Sequence, residues 1–142
     1  MDLTAVRNKL ADNITLFTGL RAEGQARDTV SPPCAVIIPG QPFINYADTM
    51  PPLSAVTVNL VVLLLISDAA PLEKTQRALD IYLGVDSDPA VGSSVPEAIE
   101  EDQQLGGLIH FIQAVTADNY GRVDYGGVTY FGARIKVLIG GI

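Results

Sequence analysis

Few side chains in this chain have the types and spacing that chemistry requires. His110 is the only histidine and sits in the apolar run LIHFIQ, with no second His and no Cys nearby. Metal sites and catalytic triads need several converging groups, so His110 reads as a structural residue. Cys34, the only cysteine, lies between Pro33 and Ala35. A nucleophilic thiol needs an activating neighbour, and Cys34 reads instead as a small apolar core or edge residue. Asp86 and Asp88 resemble the start of a calcium loop. Position 90 is alanine, however, and the loop glycine is missing, so no calcium loop is expected. The glycines between 121 and 132 precede no Lys-Ser or Lys-Thr pair and open no helix after a strand, so no phosphate cradle is expected. Glu100 and Glu101 are adjacent on a helix and diverge, unlike two carboxylates facing across a cleft. No catalytic, cofactor-binding or metal set emerges, and a role other than catalysis is expected.

Composition narrows the class further. The 142 residues make one ordinary domain, spanning 1–142, large enough for its own core. Charged residues are only 18% of the chain, below the roughly 25% of an average soluble domain, which points to surface covered by partners. The longest apolar run, Leu60 to Ile66, is seven residues, against about 20 for a bilayer helix, so no membrane span is expected. The first residues, MDLTAVRNKLADN, lack a basic start followed by an apolar run, so no secretory signal is expected. A lone cysteine excludes an internal disulfide and fits synthesis in a reducing compartment.

The net charge of −7 argues against tight non-specific binding to nucleic acid, which needs cations against phosphates. The acids are also concentrated. Between Ala78 and Gly121 there are eight (Asp80, Asp86, Asp88, Glu97, Glu100, Glu101, Asp102 and Asp118) and no Lys or Arg. This block reads either as a solvated face or as a surface that repels DNA or meets a basic partner.

The elements that position these residues follow from periodicity. Residues 55–67, AVTVNLVVLLLIS, are rich in β-branched types and form the strand around which the rest is organised. Val56, Val58, Leu60, Val62, Leu64 and Ile66 share one face. The other begins polar at Thr57 and Asn59 and turns apolar at Val61, Leu63 and Leu65, so it needs a second cover, from a helix of the same chain or from a neighbouring subunit.

Leu3, Val6, Leu10, Ile14 and Phe17 form the stripe of a helix over Leu3–Thr18, capped by Asp2 and ended by Gly19. Leu20–Pro33 reads as a connection and Cys34–Pro39 as a short strand. Gly40–Ser54, carrying Pro42, Pro51 and Pro52, reads mainly as a loop with part of it pairing at a sheet edge, its large apolar residues serving either contact or the parent core. Helices are expected over Leu72–Leu83, with Pro71 and Gly84 at its ends, and over Ser94–Gln104, opened by a Ser94/Glu97 capping box. Val85–Ser93 reads as a loop between them. Strands over Leu108–Asp118 and Val128–Ile139 follow, joined by a turn in Gly121–Gly127. In the second, Phe131, Ala133, Ile135, Val137 and Ile139 face a core while Tyr130, Arg134 and Lys136 stay accessible. The expected fold is α+β, a mainly antiparallel sheet of about four strands packed with helices.

In order and spacing, several segments resemble the tail terminator proteins of long-tailed bacteriophages, especially the small ones of phages infecting actinobacteria. These are LRAEG at 20–24, PPCAVIIPG at 32–40, ALDIYLG at 78–84, SSVPEAIEEDQQLGG at 93–107 and NYGRVDYGGVTYFGARIKV at 119–137. The resemblance covers most of the chain and carries no catalytic signature. It implies a virion protein, assembled in the host cytoplasm, that forms a ring, usually of six subunits, on the head-proximal end of the tail tube. Such a ring binds the last tube ring, stops polymerisation and presents a surface to the neck or head-completion protein, while DNA passes through its lumen without specific binding. Contact residues are then expected in Phe43, Tyr46, Met50 and Leu53 and in Tyr120, Arg122 and Tyr125, since aromatics and Arg anchor interfaces. Glu97, Glu100, Glu101 and Asp102 are expected on the lumen or an acidic face, where neutralising them would slow DNA release and leave the ring intact. The alternatives are another neck component, such as a head-completion or stopper protein, and, from another class, a small binding domain or hydrolase.

Overall fold

The computed structural model describes residues 2–24, 33–45, 56–67, 72–85 and 94–141. Helix α1 spans Leu3–Thr18 as its periodicity predicts. The Asp2 carboxylate accepts from the Ala5 N–H at 3.2 Å, and Gly19, at φ +79°, donates its N–H to the Thr15 carbonyl. Helix α2 (Leu72–Leu83) also has its expected bounds, with Gly84 at φ +85° behind it. Helix α3 is shorter than expected. It runs Val95–Glu101, and a 3₁₀ turn at Leu105–Gly107 follows it. Its capping box differs as well. The Ser94 hydroxyl accepts from the Glu97 N–H at 3.3 Å but donates to the Glu97 carboxylate at 2.9 Å, so the two side chains bond each other.

The sheet has five strands: β1 (Arg21–Glu23), β2 (Cys34–Asn45), β3 (Val56–Ser67), β4 (Phe111–Tyr125) and β5 (Val128–Gly141), in the order β1-β2-β3-β5-β4. The expectation of about four, mainly antiparallel strands is corrected to five in a mixed sheet, because β1 runs parallel to β2. Arg21-Ala22-Glu23 is too short and too polar to show a strand period. It pairs only with Cys34–Val36. Strand β3 is central. It matches β5 residue for residue from Val56↔Gly141 to Ser67↔Tyr130 without a shift.

Residues 40–45, from the stretch expected to be mainly loop with part of it pairing at an edge, continue β2. Pro39 and Pro42 are tolerated because they lie beyond the reach of β1, where β2 is itself an edge. The irregularity they signal is a bulge. Between the pairs Pro39↔Leu60 and Ile44↔Val58, four residues of β2 run against the single Asn59 of β3. The Asn59 side-chain amide donates to the Pro42 carbonyl at 2.9 Å and ties the bulge to β3. At the other end of the chain, the expected 121–127 turn contracts to Gly126-Gly127, at φ +59° and +80°, closed by Tyr125↔Val128. Both glycines at positive φ are what a two-residue hairpin requires.

All three helices lie on one face of the sheet. Val6, Leu10 and Ile14 of α1, Leu79 of α2 and Val95 and Ile99 of α3 pack on Leu60, Val62, Leu64, Ile135, Val137 and Ile139. The opposite face carries a second cluster of Cys34, Val36, Leu63, Leu65 and Tyr130, with Ile38, Val123 and Tyr125 against it. Leu63 and Leu65 are therefore buried within one chain, and no neighbouring subunit is needed to cover them. Tyr130, expected on the accessible face, is buried there too.

Candidate functional site

The residues with reactive groups are separated by the fold. Cys34 is fully buried in the second cluster, and burial, reinforced by Glu23 and opposed by Arg21, pushes its thiol up to about 11. It stays a protonated apolar residue, as expected. His110 is exposed, and its backbone N–H holds the Gly140 carbonyl at 2.9 Å. Among the described residues no three His, Cys, Asp or Glu side chains converge. Asp86 and Asp88 lie outside the described residues.

The far ends of the two expected contact segments are set apart, while their near ends, at Gly40 and Gln41 and beside Asp118, approach one cavity. Phe43 and Ile44 sit beside Val58, at the start of β3, whereas Gly121 lies level with Gly132 and Leu65, near its end. At ~3.3 Å per residue this is about 20 Å along the sheet. Phe43 is half-buried against the main core, and the Arg7 guanidinium stands 5.6 Å from its ring centroid. Its side chain therefore serves the parent core, one of the two roles the sequence left open. Tyr46, Met50 and Leu53 lie outside the described residues.

At the other end, Tyr120 remains 45% exposed while its hydroxyl donates to Asp80 at 2.9 Å, tying β4 to α2. Its ring meets Phe131 edge-on at 5.5 Å and 89°. Partial burial and the Asp80 carboxylate push the phenol up to about 12. Arg122 is exposed on β4, and Tyr125 is half-buried against the second cluster.

The expected acidic residues form one surface. Glu97, Glu100 and Glu101 are exposed on α3 and Asp102 is half-buried as its C-cap. They stand on the helical side of the sheet. What sequence reasoning missed lies on the other side. Gly40, Gln41, Asn59, Leu60, Val61, Asp118, Arg134 and Lys136 line a cavity of about 190 Å³. The Lys136 ammonium is 3.4 Å from one Asp118 oxygen, while the other is buried without a donor among the described residues. Arg134 and Lys136 were legible as same-face neighbours. The bulge and the Asp118 side chain that enclose them were not, because they come from β2 and β4.

No protein-family model matches the chain, and no curated protein matches it. No helix among the described residues is long and apolar enough to cross a membrane.

Proposed function

We infer that this protein is a tail terminator: a structural virion protein that closes into a ring on the head-proximal end of a phage tail tube, stops tube growth and offers the neck an attachment surface. The observation that carries the reading is the placement of the far ends of the two contact segments, with Ile44 and Asn45 and residues 121–125 towards opposite ends of one continuous five-stranded sheet. A terminator needs two unlike ends on a rigid body, one that fits the tube and one that does not. The order and spacing of the segments that resemble terminators give the same reading. So does the low charge fraction of a chain whose partners would cover much of its surface. The activity is steric and geometric. A ring is a closed set of heterologous contacts, each joining two different faces.

Electron microscopy of tails assembled without this protein tests the reading. Overlong tubes are expected. Tails of normal length beside unjoined heads would overturn it in favour of a head-completion or stopper role.

A further inference from the structure

Two features on opposite faces of the sheet are electrostatically incomplete in a single chain. The first is the cavity. Its wall carries Arg134 and Lys136 against the single carboxylate of Asp118, a local positive excess in a chain of net charge −7. Lys136 is paired with Asp118, whereas the half-buried Arg134 guanidinium has no hydrogen bond or ion pair among the described residues. An enclosed, unpaired guanidinium is a receptor for a carboxylate, which it can hold through two parallel N–H donors.

The second feature is the end of α3. Glu100 and Glu101 occupy its last turn, Asp102 caps it, and no basic residue lies in that turn. A helix C-terminus carries partial negative charge and favours cations, so these exposed acids weaken the helix they stand on. A cation from outside the chain would relieve that cost.

We propose that the Arg134–Lys136 cavity of one subunit receives Glu100 or Glu101 from α3 of a second copy, making a head-to-tail subunit contact. Charge complementarity and position both argue for this occupant. The cavity lies on the face of Val61, Arg134 and Lys136, and α3 lies on the face of Leu60, Ile135 and Val137. A contact joining opposite faces is heterologous, the kind from which a ring is built when the rotation between subunits closes, whereas a face meeting itself would stop at a dimer. The proposal rests on the ring reading above and assigns Glu100 and Glu101 to the subunit contact, not to the lumen.

Sedimentation of the full chain over a concentration series, at low and high salt, tests it. Arg134→Glu and, separately, Glu100→Arg with Glu101→Arg are expected to weaken self-association at least about thirty-fold, the loss typical of breaking one partner of an enclosed charge pair. Combining all three substitutions in one chain restores the contact at residue 134 with reversed sign and should recover part of the loss, since Lys136 keeps its charge. Circular dichroism melting confirms that each variant folds, and Lys136→Glu replaces Arg134→Glu if that chain does not. A wild-type ring unaffected by any of these changes overturns the proposal and leaves the ring reading standing. Normal rings with slowed DNA release after neutralisation of Glu100 and Glu101 would do the same, returning those acids to the lumen. A wild-type chain that stays monomeric both in solution and on tube ends overturns the ring reading, and this contact with it.

Discussion

At Gly132 the fold has no room for a side chain. A Cβ there would fall on the Leu64 carbonyl oxygen, in the longest unshifted ladder of the sheet. Gly132→Ala must push β5 away from β3 and is expected to lower stability by about 2–4 kcal/mol, at or above the usual cost of overpacking, as measured by urea unfolding. Tyr120 allows a test by pH. Its folded pKa, about 12, lies above the ordinary value of 10. The neutral phenol is thus favoured by folding. The stability this lends is fully present below pH 10 and is lost as pH rises through about 12. Tyr120→Phe should cost about 0.5–1 kcal/mol at pH 7, a modest figure because the ring is nearly half exposed. The gap between wild type and variant should close above pH 10. Cys34 has the same sign of shift. Its thiol should resist alkylation at pH 8 in the native protein and react at the rate of unfolding, as followed by mass spectrometry.

Among the elements, β4 and β2 show how an edge is kept from pairing with strangers. Strand β4 is the outer strand of the sheet, with Phe111, Val115 and Tyr120 exposed along it. Its register shifts between Ala114 and Thr116 and again between Asp118 and Gly121, with Asn119 at φ +54° in the second shift. Such bulges twist an edge and interrupt its row of free backbone groups. Phe111 turns its ring over Gly140, where a Cβ would collide with it, covering the bare backbone of β5. In β2 the wide bulge depends on a close approach, since a Cβ at Gly40 would stand 2.8 Å from the Asn59 carbonyl oxygen. Gly40→Ala should therefore reshape the cavity wall and cost about 1–3 kcal/mol. Asn59→Leu, which removes only the bond to Pro42, should cost about 1 kcal/mol. Thermal melts of the two variants check this order.

For the whole molecule, the helices and the main core take one side of the sheet, and the second cluster and the charged cavity take the other. One chain buries both faces of β3, so self-association is not driven by a missing core. The proposed ring would then rest on smaller, polar and shape-specific contacts, and its assembly should depend on concentration and salt. Mass measurement in solution is expected to show six copies, or a monomer that assembles into rings only on tube ends. A dimer closed by one face on itself would contradict the ring.

The sequence by itself determined the elements whose cause is local. The stripe of α1 with its Asp2 and Gly19 ends, the bounds of α2, the central strand and the Gly126-Gly127 turn all follow from side-chain period and backbone freedom over a few residues. The inward set of β5 followed in the same way. Only the tertiary structure decided what depends on partners distant in the chain. It made a strand of Arg21–Glu23, because Cys34–Val36 offers an edge. It extended β2 from Pro39 to Asn45, past Pro42, because β1 stops short of both prolines. It buried Tyr130, because Leu65 and Cys34 lie on the same face of neighbouring strands. It enclosed Arg134 and Lys136 with Asp118 and the β2 bulge. Local period fixes which way a side chain points, but long-range register decides what it meets.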